Sequence, residues 1–395
     1  MASTENYKED DNACLYAMHL STSHIFPMAL TAAIELNLFD IIASRANQDA
    51  YMSPSEIASQ LPTKNPDAPF LLDRMLRLLA TYSLLTCSMR TCEDGRVERL
   101  YGVSPAGKFF AQNGDGGLLS SMALLNSHPN VAEVWRHLKD AILEEGNLYE
   151  KVHGTTNIFE YMEADPTLNK IFNKAMADLS GISMKKVLET YKGFEGVSLL
   201  VDVAGCTGAD LNMIISKYPS IRGINFDLPH MIQHAPSYPV LPLPASLLHS
   251  PSHPPCSTPD LMVVVFPVMG VFWSWGIEHV GGDMYVSVPT GDAIMIKATC
   301  HNWSDEHCIN FLKNCNKALQ QNGKVIIIDH VMPDAPESTD GAKFVSATDN
   351  IMLVSLGGKE RTAKEFEALS KSSGFSGFHV DCLVYNVWGV MELYK

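Results

Sequence analysis

The sequence predicts an α/β protein of two domains: a mostly helical, winged-helix-like domain first, then a doubly wound, mainly parallel sheet. Three observations carry this expectation. At 395 residues the chain is too long for one compact core. Its first third holds two helical segments followed by a hairpin signal. From Ser198 onward, short apolar runs alternate with helical segments, the pattern of a parallel sheet covered on both faces. The divisions expected are 1–120 for the winged-helix-like part, 121–190 for a helical linker, and 191–395 for the sheet domain, with an atypical insertion at 240–276.

The first element, 13–42, is apolar with a helical rhythm through Leu15, Met18, Ile25, Met28, Ala29, Ala32, Ala33 and Leu36. So wide an apolar face needs a partner, and a second subunit would serve. Ser53-Pro54-Ser55-Glu56 is a capping box with proline at the first helical position, so a helix starts there. The next helix, 67–82, is expected to turn Leu71, Leu72, Met75, Leu78 and Leu79 inward. Strands at 84–88 and 97–101 flank Glu93-Asp94-Gly95, a hairpin turn signal. Helix, helix and hairpin make a winged-helix pattern, which raises DNA binding as a rival function. The candidate recognition helix offers only Arg74 and Arg77 as cations, and the formal net charge is −15. Nucleic acid is therefore not an expected partner, and a structural or dimerising role fits better.

In the second half, strands are expected at 199–203, 223–226, 293–297 and 324–329, with helices at 209–217 and 305–319. Segment 240–276 breaks this rhythm. It opens with Pro242, Pro244, Pro251, Pro254, Pro255 and Pro259, then runs apolar through 261–266 and 271–273. Proline-rich beginnings pack as neither helix nor strand, and an ordinary αβ connection takes roughly 2–6 residues. The segment reads as a long surface insertion or as translated non-coding sequence such as a retained intron, and the second reading is preferred.

Composition narrows the function classes. Hydrophobic residues at 46% and charged residues at 18% make a globular balance rather than a disordered one. Nine cysteines without framework spacing read as free thiols in a reducing cytosol. The polar, acidic start has neither the basic nor the apolar region of a signal peptide. No apolar stretch reaches the roughly 18–20 residues of a membrane helix. A cytoplasmic protein with no membrane partner is expected.

Ligands of doubly wound sheets sit at the carboxyl ends of the strands, which directs attention to Val201-Asp202-Val203-Ala204-Gly205-Cys206-Thr207-Gly208. This run ends a strand and opens a helix, and Gly205 and Gly208 let backbone approach a nucleotide-type ligand. Asp227, at the end of the next strand, can accept hydrogen bonds from both hydroxyls of a ribose. It fits a helix cap before Pro229 equally well. Spacing alone leaves NAD and S-adenosylmethionine in competition.

Longer strings separate them. Gly223-Ile224-Asn225-Phe226-Asp227-Leu228-Pro229-His230 resembles the plant caffeic acid O-methyltransferase family, as does Glu278-His279-Val280-Gly281-Gly282-Asp283-Met284. So do Lys297, the run His301-Asn302-Trp303-Ser304-Asp305-Glu306, and Gly357-Gly358-Lys359-Glu360-Arg361-Thr362. The likeness covers nearly the whole chain and skips 240–276. It implies a Rossmann-like methyltransferase sheet behind a winged-helix-like dimerisation domain, a homodimer, and S-adenosylmethionine as cofactor. By the same resemblance Asp227 and its neighbour Leu228 lie at the ribose, Asp283 and Met284 flank the adenine, and Lys297 lies near the cofactor beside the Gly205 turn. Leu125, Asn126, Phe172, Met176, Ile351 and Met352 match positions that line an aromatic-substrate pocket, to which 121–190 contributes.

The chemistry asks for a base. A phenol with a pKa near 10 supplies little phenolate at neutral pH. His301 stands four residues past Lys297, just beyond a strand end and before a helix, with an unperturbed pKa near 6.5. A base histidine needs its other ring nitrogen held, and the resemblance supplies Asp329 and Glu360. A metal site at His301, His307 and Cys308 fits the spacing poorly, and no metal is expected. The family usually has glycine at Ala204 and Cys206, glutamate at Asp329, aspartate at Asn302, tryptophan at Ala298 and, in caffeate-type members, histidine at Leu179. The expected function is methylation of a phenolic hydroxyl on a phenylpropanoid, coumarin or related small phenol. The departures keep a second reading open, a catalytically impaired paralogue; winged-helix DNA binding is third.

Overall fold

The structure is a computed structural model that describes residues 2–45, 51–112, 119–238 and 276–395. Apart from Gly276, the segment read as an insertion lies outside the described residues. The chain divides into two compact units, Met1–Ile182 and Ser183–Lys395; the division falls within the span expected as a helical linker.

In the first unit the apolar N-terminal rhythm forms three helices rather than one: α1 (Ala2–Thr22), α2 (Ile25–Glu35) and α3 (Leu38–Ala43). The last break sits at Asn37, which takes a left-handed φ of 53° between α2 and α3 and so turns the chain where asparagine does so most cheaply. Leu30, Ala33, Leu38, Phe39 and Ile42 are buried, whereas Leu15, Met18, Ile25 and Met28 are exposed. Helix α4 (Pro54–Ala58) begins at the expected capping box, with Ser53 and Glu56 each satisfying the other's backbone N–H. Helix α5 (Ala68–Thr81) buries Leu72, Leu76 and Leu79. Leu71 is exposed, against expectation; the i, i+4, i+7 stripe through residue 72 rotates its neighbour outward. Strands β1 (Leu85–Thr91) and β2 (Val97–Val103) pair antiparallel to form the wing. Tyr101 ties it to α5, its hydroxyl donating to Asp73 Oδ1 at 2.7 Å. The following region is helical: α6 (Ser120–Ser127), α7 (Pro129–Trp135), α8 (Asp140–Leu143), α9 (Leu148–His153), α10 (Ile158–Ala164) and α11 (Pro166–Thr190).

The second unit is built on one sheet. Strands β3 (Leu199–Val203), β4 (Arg222–Asp227), β5 (Ile277–Gly281), β6 (Gly291–Lys297), β7 (Leu319–Met332), β8 (Arg361–Thr362), β9 (Gly377–Val384) and β10 (Trp388–Tyr394) give the order β5-β4-β3-β6-β7-β10-β9, with β8 beside β7. Pairing is parallel from β5 through β7 and antiparallel at β10 and β9. The four strands expected at 199–203, 223–226, 293–297 and 324–329 are the core of the sheet. Their apolar runs show no alternation because helices cover both faces, as the complete burial of Ala293 to Ile296 shows. Helices α12 (Ala209–Lys217), α13 (Pro229–Ile232), α14 (Asp305–Ala318), α15 (Asp340–Leu356) and α16 (Ala363–Ser372) complete the unit. The β9–β10 hairpin was not among the expected strands. Its insertion matters to the site, because β10 sets Gly389 opposite Asp329 and Trp388 opposite His330. A Cβ at Gly389 would stand 2.3 Å from a Val331 methyl, so glycine admits the strand at this point.

Candidate active site

Two turns at the carboxyl ends of neighbouring parallel strands carry the candidate residues. The first joins β3 to α12. Ala204 (φ 59°), Cys206 (φ 51°) and Gly208 (φ 77°) all take left-handed backbone. For alanine and cysteine this conformation costs about 1–2 kcal/mol each. Gly205 between them is required from beneath: an added Cβ would lie 2.3 Å from Asn225 Oδ1 and 2.6 Å from Asp202 Oδ2. Asn225 Nδ2 donates to the Cys206 carbonyl at 2.9 Å. Burial, and then the charge of Asp210, pushes the Asp202 carboxyl well above the usual carboxylate range. Its Oδ2 and Asn225 Oδ1 have no hydrogen-bond partner among the described residues.

Asp227 closes this turn. Its Oδ2 accepts from the Cys206 N–H at 2.8 Å and its Oδ1 from the Leu228 N–H at 2.7 Å. The carboxylate is half-buried at the tip of β4, and Leu228 beside it is exposed. Asp283 is exposed and accepts from the Tyr285 N–H at 2.8 Å, while Met284 packs against the main core and its carbonyl accepts from Asn314 Nδ2 at 2.9 Å. Lys297 ends β6, with Nζ 3.3 Å from Asp210 Oδ2 and 5.2 Å from the Trp388 ring centroid.

The second turn leaves β6 through Ala298, also left-handed at φ 49°, and forms a short 3₁₀ turn, Cys300–Asn302, before α14. His301 sits in it, 9% exposed. Its Nδ1 lies 3.1 Å from Glu360 Oε1 and 3.4 Å from Asp329 Oδ1. The shorter aspartate thus stands farther off than the glutamate. Asp329 instead accepts the backbone N–H groups of Cys300 and His330, each at 3.1 Å. His330 Nδ1 also reaches Glu360 Oε1, at 2.8 Å. The ring nitrogens of His301 and His330 and the Glu360 carboxylate all lie within 4.8 Å of one another, a spacing that two imidazole N–H groups on one carboxylate oxygen explain. His307 and Cys308 point elsewhere: the former pairs with Ser304 and stacks near Trp303, and the latter's thiol faces the Cys300 carbonyl.

The electrostatics follow from that geometry. Burial alone would pull the His301 imidazole down, but Asp329 and Glu360 outweigh it and push its pKa up to about 9. Burial likewise opposes ionisation of Glu360, yet its bonds to the two imidazoles bring it to about 2. Asp329, wholly buried, is pushed up by desolvation.

The Gly-Gly-Lys-Glu-Arg-Thr run locks this turn residue by residue. Gly357 ends α15 in left-handed backbone at φ 68°. A Cβ on Gly358 would fall 2.0 Å from the His301 carbonyl oxygen, so only glycine lets the segment dock there. The Lys359 N–H donates to that same carbonyl at 3.0 Å. Arg361, fully buried, donates to the carbonyls of Cys300 (2.6 Å) and Trp303 (2.7 Å) and to Asp305 Oδ1 (2.8 Å). Thr362 caps α16 in a capping box with Glu365.

The structure therefore brings His301, Asp329 and Glu360 together in the second unit, with Ile351 and Met352 half-buried on neighbouring α15. Leu125, Asn126, Phe172 and Met176 belong to the first unit. Leu125 is buried on α6 and Asn126 exposed; Phe172 meets Phe159 edge-on at 5.7 Å, and Met176 is exposed on α11. Three participants received no role from the sequence: His330, Trp388, and Arg361, which was named only within the 357–362 run. A histidine set next to Asp329 after the apolar run 325–328 was the available signal for the first. The others became visible only through the docking of β8 and β10.

Comparison with known proteins agrees with this architecture. The model for the O-methyltransferase domain matches residues 135–247 and 259–376, and that for the O-methyltransferase dimerisation domain matches 18–113. Of segment 240–276, which the resemblance was expected to skip, the family model matches 240–247 and 259–276 and leaves out 248–258. Caffeic acid 3-O-methyltransferase of Prunus dulcis is 51% identical over 393 residues, 99% of this chain and 97% of that protein. O-methyltransferase 13 of Lophophora williamsii is 51% identical over 387 residues, 98% of this chain and 96% of that one. Among solved structures, human N-acetylserotonin methyltransferase in complex with SAM shares the fold, with a TM-score of 0.72 at 18% identity over 97% of each chain. The chain belongs to the S-adenosylmethionine-dependent O-methyltransferase family, with a dimerisation domain ahead of its O-methyltransferase domain.

Proposed function

We propose that this enzyme methylates the phenolic hydroxyl of a phenylpropanoid, coumarin or related small phenol, with His301 as general base. The observation that carries the reading is the buried His301 imidazole with Nδ1 held by Glu360 and Asp329. With Nδ1–H committed to carboxylates, Nε2 is the nitrogen left to take a proton. The raised pKa suits the task. A base of about 9 facing a phenol near 10 accepts the proton against roughly one unit, about 1.4 kcal/mol, where an unperturbed imidazole would face more than three. Lowering that barrier has a counterpart: His301 is protonated at neutral pH in the free enzyme, so kcat/KM should climb as pH approaches 9.

Bound S-adenosylmethionine supplies an electrophilic methyl group on a sulfonium whose departure leaves a neutral thioether. The residues of this chain fit that cofactor. Asp227 presents a half-buried carboxylate at the tip of β4 for ribose hydroxyls, beside Leu228 and the Gly205 turn. Asp283 and Met284 are assigned to the adenine, and Lys297 to the neighbourhood of the cofactor. Leu125, Asn126, Phe172, Met176, Ile351 and Met352 are assigned to the aromatic pocket. The names of the plant relatives support a phenolic substrate. The dimerisation domain and the exposed Leu15, Met18, Ile25 and Met28 support a homodimer. Each described cysteine is a free thiol, which supports a cytosolic setting. No described helix is long and apolar enough to cross a membrane.

The test is methyl transfer from labelled S-adenosylmethionine to a panel of phenols and matched aliphatic alcohols. Label on the phenols alone is expected; label on alcohols at comparable rates would overturn the reading. The left-handed Ala204 and Cys206 favour a second reading, an impaired paralogue. Calorimetric titration separates the two, since a Kd for the cofactor beyond about 1 mM, weaker than 4.1 kcal/mol, would support impairment.

A further inference from the structure

His330 belongs to the catalytic cluster, yet the proposed chemistry gives it no role. It follows Asp329 in β7 and is 3% exposed. Its Nδ1 lies 2.8 Å from Glu360 Oε1, closer than the 3.1 Å of His301 Nδ1 to the same oxygen. A carboxylate oxygen can only accept, so both imidazoles donate Nδ1–H to it. Neither Glu360 Oε2 nor His330 Nε2 has a hydrogen-bond partner among the described residues. The His330 ring is fixed by aromatic neighbours, with Trp388 at 4.1 Å between centroids and Phe344 edge-on at 5.6 Å. The ring so confined holds Nδ1 on Glu360 Oε1.

We infer that His330 is a positioning residue that sets the basicity of His301 by taking part of the hydrogen-bonding capacity of Glu360 Oε1. The inference rests on the reading of His301 as base. An oxygen that accepts from two N–H groups offers each a weaker hold than it would offer one. Removing the competitor lets Glu360 grip the His301 imidazolium more tightly and so raises the pKa of the base. Asp329 also raises the pKa of the His301 imidazole, but its position is fixed independently of the His330 side chain. Asp329 on β7 stands 3.4 Å from His301 Nδ1 and is engaged with two backbone N–H groups. Asp349 on α15 accepts from the Glu360 N–H at 2.9 Å, and Thr348 Oγ1 is 3.5 Å from His330 Nδ1. Arg361 is spent on the carbonyls of the turn and on Asp305. Lys297 lies over Trp388, on the strand next to β7.

The experiment is the pH profile of kcat/KM on one phenol, between about pH 6 and 10.5, for the parent, His330→Phe, His330→Leu and His330→Gln. Phenylalanine and leucine remove the competing donor; glutamine keeps an amide donor for Glu360. The acid limb should move to higher pH in the Phe and Leu variants by about half a unit to one unit, a fraction of the roughly 1–3 units an adjacent charge can give. The Gln variant should return it to the parent's position. A limb that stays put, or moves down, in whichever of the Phe and Leu variants folds overturns the inference. His301→Gln is the control for the underlying reading. If that variant keeps the parent's rate and limb, the base assignment fails; if it loses them while the His330 variants keep the parent's limb, only the role of His330 fails.

Discussion

The turn after β3 and the turn after β6 are close equivalents that the protein holds in different ways. Each leaves its strand through a left-handed non-glycine residue, Ala204 or Ala298. The second turn is then gripped by side chain and backbone together: Arg361 on two carbonyls, Lys359 N–H on a third, and Asp329 on the Cys300 N–H. The first carries a further strained residue, Cys206, and is held mainly by Asp227 and Asn225. A turn that positions a proton acceptor must be over-determined, because a displacement of an ångström at a reacting group is costly. A turn that positions a cofactor already bound by several groups tolerates more change. The comparison predicts that substitutions at the second turn damage rate, whereas those at the first adjust affinity.

Arg361→Ala should show the largest effect. It removes the charged donor from the Cys300 and Trp303 carbonyls and from Asp305. Among the described residues this leaves the carbonyls only the weak Cys308 thiol and the Trp303 N–H, and Asp305 only Lys359. Each hydrogen bond to a charged group contributes about 1.5–3 kcal/mol. Denaturant unfolding should report a loss of at least about 2 kcal/mol, with kcat falling at temperatures where the protein remains folded. A near-neutral result would mean that the turn is held without the guanidinium. Gly358→Ala comes next. Its Cβ must displace the His301 carbonyl, so overpacking of about 1–3 kcal/mol is expected. The distinguishing readout is kcat against cofactor Kd: the former should drop and the latter stay, and equal damage to both would erase the contrast between the turns.

Ala204→Gly with Cys206→Gly is the smallest and carries the opposite sign. Glycine relieves the left-handed strain at both sites, about 1 kcal/mol each, partly offset by the greater freedom of the unfolded chain. Apo melting temperature should hold or rise, and S-adenosylmethionine affinity should tighten by up to roughly tenfold. Unchanged affinity would show that the strained turn already accepts the cofactor, and the impaired-paralogue reading would lose its support.

Much of this was legible beforehand, for reasons that differ by element. Strand β3 and helix α12 read directly because one is a short apolar run between polar ends and the other follows a glycine-bearing turn. The capping box at Ser53 and Glu56 is local chemistry and needs no tertiary context. Leu71 was misplaced because the apolar residues crowded into helix 67–82 leave its inner stripe ambiguous by one position. Strand β10 was missed because it is buried almost throughout yet carries Glu392 in its run, and β9 because His379 and Asp381 break up its apolar residues. Asp329 and Glu360 came from family resemblance, and no spacing argument could join residues that only the sheet brings beside His301. His330 stayed hidden for the same reason, in a strand where it follows Asp329 and the apolar run 325–328. The insertion proposed at 240–276 came from composition, and the family model leaves out only 248–258 of it.

The most direct test of the account is the pH profile of kcat/KM for the parent and for His301→Gln on a phenol of pKa near 10. Since the base must be unprotonated, the parent should rise with unit slope and level off near pH 9, where His301 loses its proton. The variant should lie roughly 10²–10⁴-fold lower, lack that limb, and bind S-adenosylmethionine with little change. A variant that retained most of the parent rate, with the limb still in place, would contradict the assignment of His301 as the base.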